Sequence, residues 1–324
     1  MSQTVENILR SIGGKNMSRF QKVFIWILGI LLVLVVGVTG IAAKVYLDVK
    51  GSIKETYETV ERAETGVKRE KKVDLNKKDS FSMLLMGVDT GDLGRTDTGR
   101  SDAIMVATVS PEDNKTQIIS IPRDTYMEIV GYGTNDKINH AYAFGGPAMA
   151  MDSLEKYLDI PIDHYASINM QGIKDLVDAV GGVTVNNDLE FTNEGHTFGM
   201  GQIQINGEQA LAFVRMRYDD PRGDYGRQER QRLVVEGIVK KLISLSGVTQ
   251  YQAVLDAVAA NMRTDMDFGM MQKIALEYRS AFSTIQMDQM KGDGFMQGGV
   301  SYQRVSDEEK QRVQAELKDQ LNID

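Results

Sequence analysis

Six arginines, Arg215, Arg217, Arg222, Arg227, Arg230 and Arg232, crowd one short stretch of a chain whose formal net charge is −8. The acids among them are Asp219, Asp220, Asp224 and Glu229, so neighbouring carboxylates cannot pair with every guanidinium. If Arg215-Met216-Arg217 is extended, its two arginines point to one side. Gly223 and Gly226 allow close backbone approach, and a helix starting here would add unbonded N–H groups and a partial positive charge. Arginine forks bind phosphate in bidentate fashion, so a small phosphate-bearing anion is the guest this pattern fits.

Helical phasing sorts the cluster. With roughly 100° per residue counted from Arg227, Val234, Ile238, Leu242 and Leu245 fall on one apolar arc. Arg227 and Gln231 lie inside that arc, whereas Glu229 and Arg230 lie outside it. A guanidinium aimed at the core must meet an anion, because desolvating it alone costs several kcal/mol. Asp219, Asp220 and Asp224 are the internal candidates, and a bound ligand is the external one.

A second set of candidates follows the first predicted strands. Asp89 ends FSMLLMGVD, and TGRSD places Arg100 and Asp102 just before AIMVATVS. Two carboxylates at neighbouring strand ends could share a hard cation such as Mg2+, which prefers oxygen ligands and keeps several waters; as turn aspartates they need no such role. Arg123 of IPRDTY ends another strand with Asp124 beside it, at the kind of strand end over which ligands of α/β sheets sit. Lys137 and His140 in DKINHAYAFGG read as a solvated lysine and a structural histidine. The three histidines, 140, 164 and 196, lack zinc-ligand spacing, and the absence of cysteine removes thiolate metal sites, disulfides and cysteine nucleophiles. Neither a G-x-S-x-G elbow nor a G-x-x-x-x-G-K-[ST] phosphate loop occurs. The acidic balance argues against nucleic-acid binding.

The elements that must position these residues are legible in outline. Residues 1–22 form a short tail, and 23–43 are an uncharged apolar run long enough to cross a bilayer as a helix and longer than a usual signal-peptide core. Flanking lysines and arginines nearly balance, and the short tail favours an inward N-terminus. Residues 44–80 read as a charged stalk and linker. From Phe81, four consecutive strands are predicted, the last being TYMEIV. Alternating strands and helices follow, with a helix begun by Pro147, a polar hairpin or loop over 187–205, and a long helix from the arginine cluster to about Leu245. Further helices are expected over 250–262 and 270–283, and a strand and helix over 292–324. The pattern predicts an α/β fold with a mixed central sheet flanked by helices in three α/β/α layers.

Taken in order, LLMGVDT, GRSDAIMV, ISIPRDTY, KINHAYAFGG, LVDAVGGV, ALAFVRMR and DPRGDYGRQERQ resemble the LytR-CpsA-Psr family, over about Phe81 to Leu245. Residues 292–324 carry no recognised resemblance. The resemblance implies a catalytic domain, over 81–291, of an extracytoplasmic enzyme of Gram-positive envelopes, held by a single membrane helix. Such an enzyme moves a glycopolymer from a polyprenyl-pyrophosphate carrier to peptidoglycan. It implies that Asp89 and Asp102 hold Mg2+, and that Arg100, Arg123, Arg215, Arg217, Arg227 and Gln231 bind pyrophosphate. Arg222, Asp224 and Arg230 lie in the same motif, with Asp89, Asp102 or Asp224 open as the base. Hydrolysis of the carrier and envelope regulation are the competing functions.

Overall fold

The structure, a computed structural model, describes residues 56–62, 69, 71–89, 99–244, 253–254, 256–257 and 261–323. The tail, the apolar run over 23–43 and most of the stalk lie outside the described residues. Among the described residues, no helix is long and apolar enough to cross a membrane.

Three apolar runs form the centre of a sheet. β1 (Phe81–Val88), β2 (Ser101–Ser110) and β3 (Lys115–Ser120) make an antiparallel meander in which Phe81 faces Val109 and Met105 faces Ser120. The fourth predicted strand, β4 (Tyr126–Ile129), does not join them. It pairs instead with β5 (Thr134–Lys137) in a separate hairpin. The chain turns sharply at Pro122, where Thr125 bonds back to the Pro122 carbonyl, and this turn carries it off the sheet.

Helix α1 (Ile138–Leu158) then crosses over the sheet so that β6 (His164–Asn169) can lie parallel to β1. It starts earlier than Pro147, because INHAYAF is already helical. Non-helical Gly145 and Gly146, the latter with φ 62°, kink it before it restarts at Pro147. β12 (Thr284–Gln289) adds to β3 in parallel, and β11 (Met262–Thr264) caps β6, giving the mixed order β11-β6-β1-β2-β3-β12. Residues 262–264 are thus strand, where a helix end was expected.

The strand pleat divides the side chains between two helical layers. On one face Leu84, Met86, Ile104, Val106 and Ile119 pack against α1 and against α6 (Asp307–Leu321). On the other face Leu85, Met105, Ala107 and Ile118 meet Val235 of α4 (Asp224–Ser244), with α2 (Met170–Ala179) alongside. A second core joins α2, α3 (Gly207–Arg215) and α4 to β7 (Val183–Asn187), β8 (Phe191–Asn193), β9 (His196–Phe198) and β10 (Gly201–Ile205). α5 (Phe268–Glu277) covers the Phe81 end of β1. Residues 292–324, expected as an extension, belong to the main core: fully buried Val313 and Leu317 of α6 pack into it. Before α6 the chain forms the hairpin β13 (Asp293–Gln297) and β14 (Val300–Arg304).

The end of the stalk is fastened to this domain. Arg62 pairs with buried Asp152 at 2.7 Å and with Glu155, and donates to the Ile162 carbonyl at 2.8 Å. Arg69 pairs with Asp163, which also accepts the Ser82 N–H.

One knot sets the entry of α4. The Asp220 carboxylate accepts from Arg230 at 2.6 Å and from Arg222 at 3.0 Å, and lies against Gly226, where any Cβ would collide with it. Burial alone would raise the Asp220 pKa, but Arg222 and Arg230 pull it down to about 2. Arg230 therefore does not face away from the fold, as helical phasing suggested. It is 2% exposed and also donates to the Phe213 and Met216 carbonyls, because a second core covers that side of the helix. Gly226→Ala should displace the carboxylate and unpair a buried ion, lowering stability by about 3 kcal/mol; urea unfolding of the purified domain reads this.

Candidate functional site

The site is built where β1, β2 and β3 end. A bulge between Gly87 and Val88 pairs Val88 with Ser101 and Gly87 with Ala103, leaving Asp102 as the extra residue. The bulge re-aims Asp102 so that Arg123, just beyond β3, donates to its Oδ1 at 2.6 Å. At the neighbouring rim Asp89 accepts the Arg100 N–H at 2.5 Å, and its own N–H bonds the Arg100 carbonyl at 3.1 Å. The Arg100 side chain is exposed.

α4 supplies the facing wall. Arg227 is only 9% exposed and pairs with Asp224, one turn earlier, at 2.5 Å. Arg217 approaches the same carboxylate at 3.9 Å. Burial holds the Arg227 guanidinium below its usual pKa; Asp224 and Asp102 oppose that, whereas Arg123 and Arg217 add to it. Arg123 is raised despite its burial, because Asp102, Asp224 and Asp124 favour its charge. Three guanidiniums thus share one field with two facing carboxylates, Asp102 and Asp224.

The hydrogen bonds show where that surplus is aimed. Among the described residues, buried Arg123 Nε and Arg227 Nε have no hydrogen-bond acceptor and buried Ser101 Oγ has no partner, while Arg227 Nη2 is held by its ion pair with Asp224. Donors of this kind are rarely left unpaired in a folded protein. Together with the excess positive charge they describe a receptor for an anion of phosphate type.

Other candidates go elsewhere. Arg222 is occupied by Asp220, Asp188 and Glu229, and Arg230 by Asp220 and two carbonyls, so neither joins the Arg123–Arg227 group. Arg215 ends α3 and lies 3.5 Å from Glu194. Arg232 is buried and donates to Ser120 Oγ at 2.8 Å. Lys137 pairs with Asp124 at 2.8 Å rather than standing in solvent, and His140 is a satisfied histidine, as expected, paired with Asp136 at 2.8 Å.

Beside the arginines lies an apolar cavity of about 200 Å³. Its sheet wall is Leu85, Gly87, Ala103 and Met105, and its helical wall is Val234, Val235, Ile238 and Val239 of α4, with Gln231 at the arginine end. A Cβ on Gly87 would meet that of Ala103 at 3.1 Å, so two small side chains keep the space open next to the Asp102 bulge. The residues taken alone did not show the cavity, whose signal was Gly87 and Ala103 facing each other within otherwise bulky apolar runs; the family resemblance did imply an apolar channel against the sheet.

Among the described residues, no group of three or more histidine, cysteine or acidic side chains could hold a metal alone. Asp89 and Asp102 offer carboxylate oxygens at neighbouring strand rims, the donor type a hard cation prefers.

Comparison with known proteins follows this geometry. A polyisoprenyl-teichoic acid–peptidoglycan teichoic acid transferase TagU of Enterococcus faecalis is 57% identical over 306 residues, covering 94% of this chain and 99% of the relative. The Bacillus subtilis protein of the same name is 41% identical, covering 91% and 94%. The crystal structure of Bacillus subtilis TagU matches with a TM-score of 0.61 at 40% identity, covering 75% of this chain and 97% of that one. TagT bound to LI-WTA matches with a TM-score of 0.69 at 28% identity, covering 82% and 100%. The LytR_cpsA_psr family model matches residues 45–319, so the likeness runs well beyond Phe81 to Leu245 and includes most of the C-terminal segment. On that match and the identity of these relatives, the chain belongs to the LytR_cpsA_psr family.

Proposed function

We propose that this protein transfers a glycopolymer, teichoic acid or another secondary wall polymer, from a polyprenyl-pyrophosphate carrier to peptidoglycan. The observation that carries this reading is the junction of two sites. The apolar cavity reaches Gln231 and the Gly87–Ala103 pair, beside buried guanidinium atoms that lack acceptors. A ligand satisfying both has a long apolar tail and a phosphate-rich head. Relatives named as polyisoprenyl-teichoic acid–peptidoglycan teichoic acid transferases support the same substrate class.

In the proposed reaction a sugar hydroxyl of peptidoglycan attacks the phosphorus that bears the glycopolymer. A P–O bond forms to the acceptor, the pyrophosphate bridge breaks, and polyprenyl phosphate leaves with the bridging oxygen. The hydroxyl proton passes to a carboxylate of the Asp89, Asp102 and Asp224 group. Arg123 and Arg227, with Arg217 beside them, hold the pyrophosphate oxygens and offset charge as it moves to the leaving group. Because Asp102 and Asp224 already fix these guanidiniums, little reorganisation accompanies that shift. Gln231 marks the passage from head group to tail, and Arg100 adds positive charge at the rim.

Asp89 and Asp102 would hold Mg2+, which when bound neutralises phosphate oxygens as a Lewis acid. Residues 23–43 serve as a single membrane anchor, with the N-terminus cytoplasmic and the folded domain on the envelope side, where carrier and peptidoglycan meet. No nucleic acid is involved in this reading.

Transfer is measured with a purified labelled carrier and peptidoglycan. Arg227→Leu should cut transfer about 100-fold or more; because it leaves Asp224 with Arg217 at 3.9 Å as its near cation, it should also lower the melting temperature of the ligand-free protein, so transfer is compared well below that temperature, where full turnover would refute the role of Arg227. Ala103→Leu should fill the cavity beside the bulge and weaken binding of a long-chain carrier about tenfold or more, with a short-chain analogue hardly affected. Chelation by EDTA should stop transfer and added Mg2+ restore it; undiminished turnover in EDTA would exclude the metal. Label released equally fast without peptidoglycan would mark a hydrolase instead.

A further inference from the structure

Two of the hairpins outside the central sheet, β4–β5 and β13–β14, meet beside Arg123. Gln303 of β14 donates its N–H to the Asp124 carbonyl at 2.8 Å, and Thr125 bridges Gln303. From this junction a row of rings runs both ways. Tyr302 packs on Tyr126 at 5.1 Å and on Phe295 at 5.5 Å, and Arg304 lies over Phe295 at 4.4 Å. In the other direction Asp136 lies close enough to Tyr302 to add to desolvation in raising its pKa and is hydrogen-bonded to His140, which packs on Phe144 at 5.6 Å. Phe144 stacks on Tyr132 at 4.0 Å, and these two rings are 41% and 49% exposed without joining any core cluster.

Rings displayed this way, with polar groups between them, suit a carbohydrate. The apolar C–H face of a pyranose packs on an aromatic face while its hydroxyls reach the neighbouring polar groups. Charge distinguishes this strip from the phosphate clamp. Lys137 is paired with Asp124, His140 with Asp136, and Arg304 is stacked on Phe295, so no surplus of cations awaits a polyphosphate chain.

We propose that this aromatic strip is the docking surface for the acceptor glycan, a strand of N-acetylated hexoses. It rests on the transferase reading above and adds the place where the acceptor binds. The hairpin junction at Asp124 is one residue from Arg123 and the Tyr126 ring three, so a hydroxyl held there is presented to a phosphorus held by the clamp.

The test is binding of an uncrosslinked six-sugar peptidoglycan glycan fragment to the full-length protein in detergent, read by calorimetry. The variants are the exposed pair Tyr132→Ser with Phe144→Ser, and separately Phe295→Ala; Leu276→Ala is the control. Loss of each ring should weaken the fragment by about fivefold and raise the acceptor KM in transfer by the same factor. Melting temperature and affinity for polyprenyl pyrophosphate should stay unchanged in the Tyr132/Phe144 pair. Unchanged fragment affinity in that double variant, or no binding by the wild-type protein, overturns the proposal. Teichoic acid polymer that displaces the fragment with the same ring dependence overturns the assignment to the acceptor. A wild-type protein that binds the fragment in a ring-dependent way yet releases the polymer only to water retains the docking surface and refutes transfer.

Discussion

A surplus of buried positive charge at the mouth of an apolar cavity is the constraint on which the rest of this structure depends. Arg123, Arg227 and the half-exposed Arg217 share two facing carboxylates, and two buried nitrogen atoms, Arg123 Nε and Arg227 Nε, find no hydrogen-bond acceptor among the described residues. In a medium of low dielectric such a group is costly alone and attracts an anion more strongly than it would in water. The ligand-free fold therefore carries an unfavourable electrostatic arrangement that an anionic head group relieves. Strain of this kind persists only where the surroundings over-determine it.

The surroundings do so through short-range devices. The bulge turns Asp102 toward Arg123 without disturbing the apolar pairs on either side of it. Asp224 sits in the first turn of α4, where a carboxylate is also favoured by the helix dipole, and grips Arg227 from within the same helix. The Asp220 knot and Gly226 fix the angle at which that helix enters. Packing on the sheet then aims Gln231, Val234 and Ile238 along the cavity. Head-group clamp and tail cavity are thus two stretches of one helix face.

The C-terminal segment links this machinery to the periphery. α6 contributes Val313, Leu317 and Leu321 to the main core, which holds the β13–β14 hairpin against the Arg123 turn. At the other end of the domain, Arg62 and Arg69 tie the last part of the stalk to buried acids. Elements that look like appendages in the linear chain are therefore fixed by pairing and packing to the body that carries the site.

Strand runs, the arginine cluster and the inward phase of Arg227 and Gln231 were legible in the sequence, because apolar periodicity and local charge counts are properties of neighbouring residues. The same local logic placed Asp89, Asp102 and Arg123 at strand ends. Three features were not legible, each because it depends on residues distant in the chain. Arg230 turned out to be buried, since α4 is covered by a second core as well as by the sheet. TYMEIV left the sheet and β12 took its edge, a choice between strands of similar composition that turn geometry and long-range pairing decide. Above all, residue types alone identified a wish for phosphate. Only the tertiary structure set the small pair Gly87 and Ala103 beside the arginines, and so joined an anion clamp to an apolar cavity of lipid character.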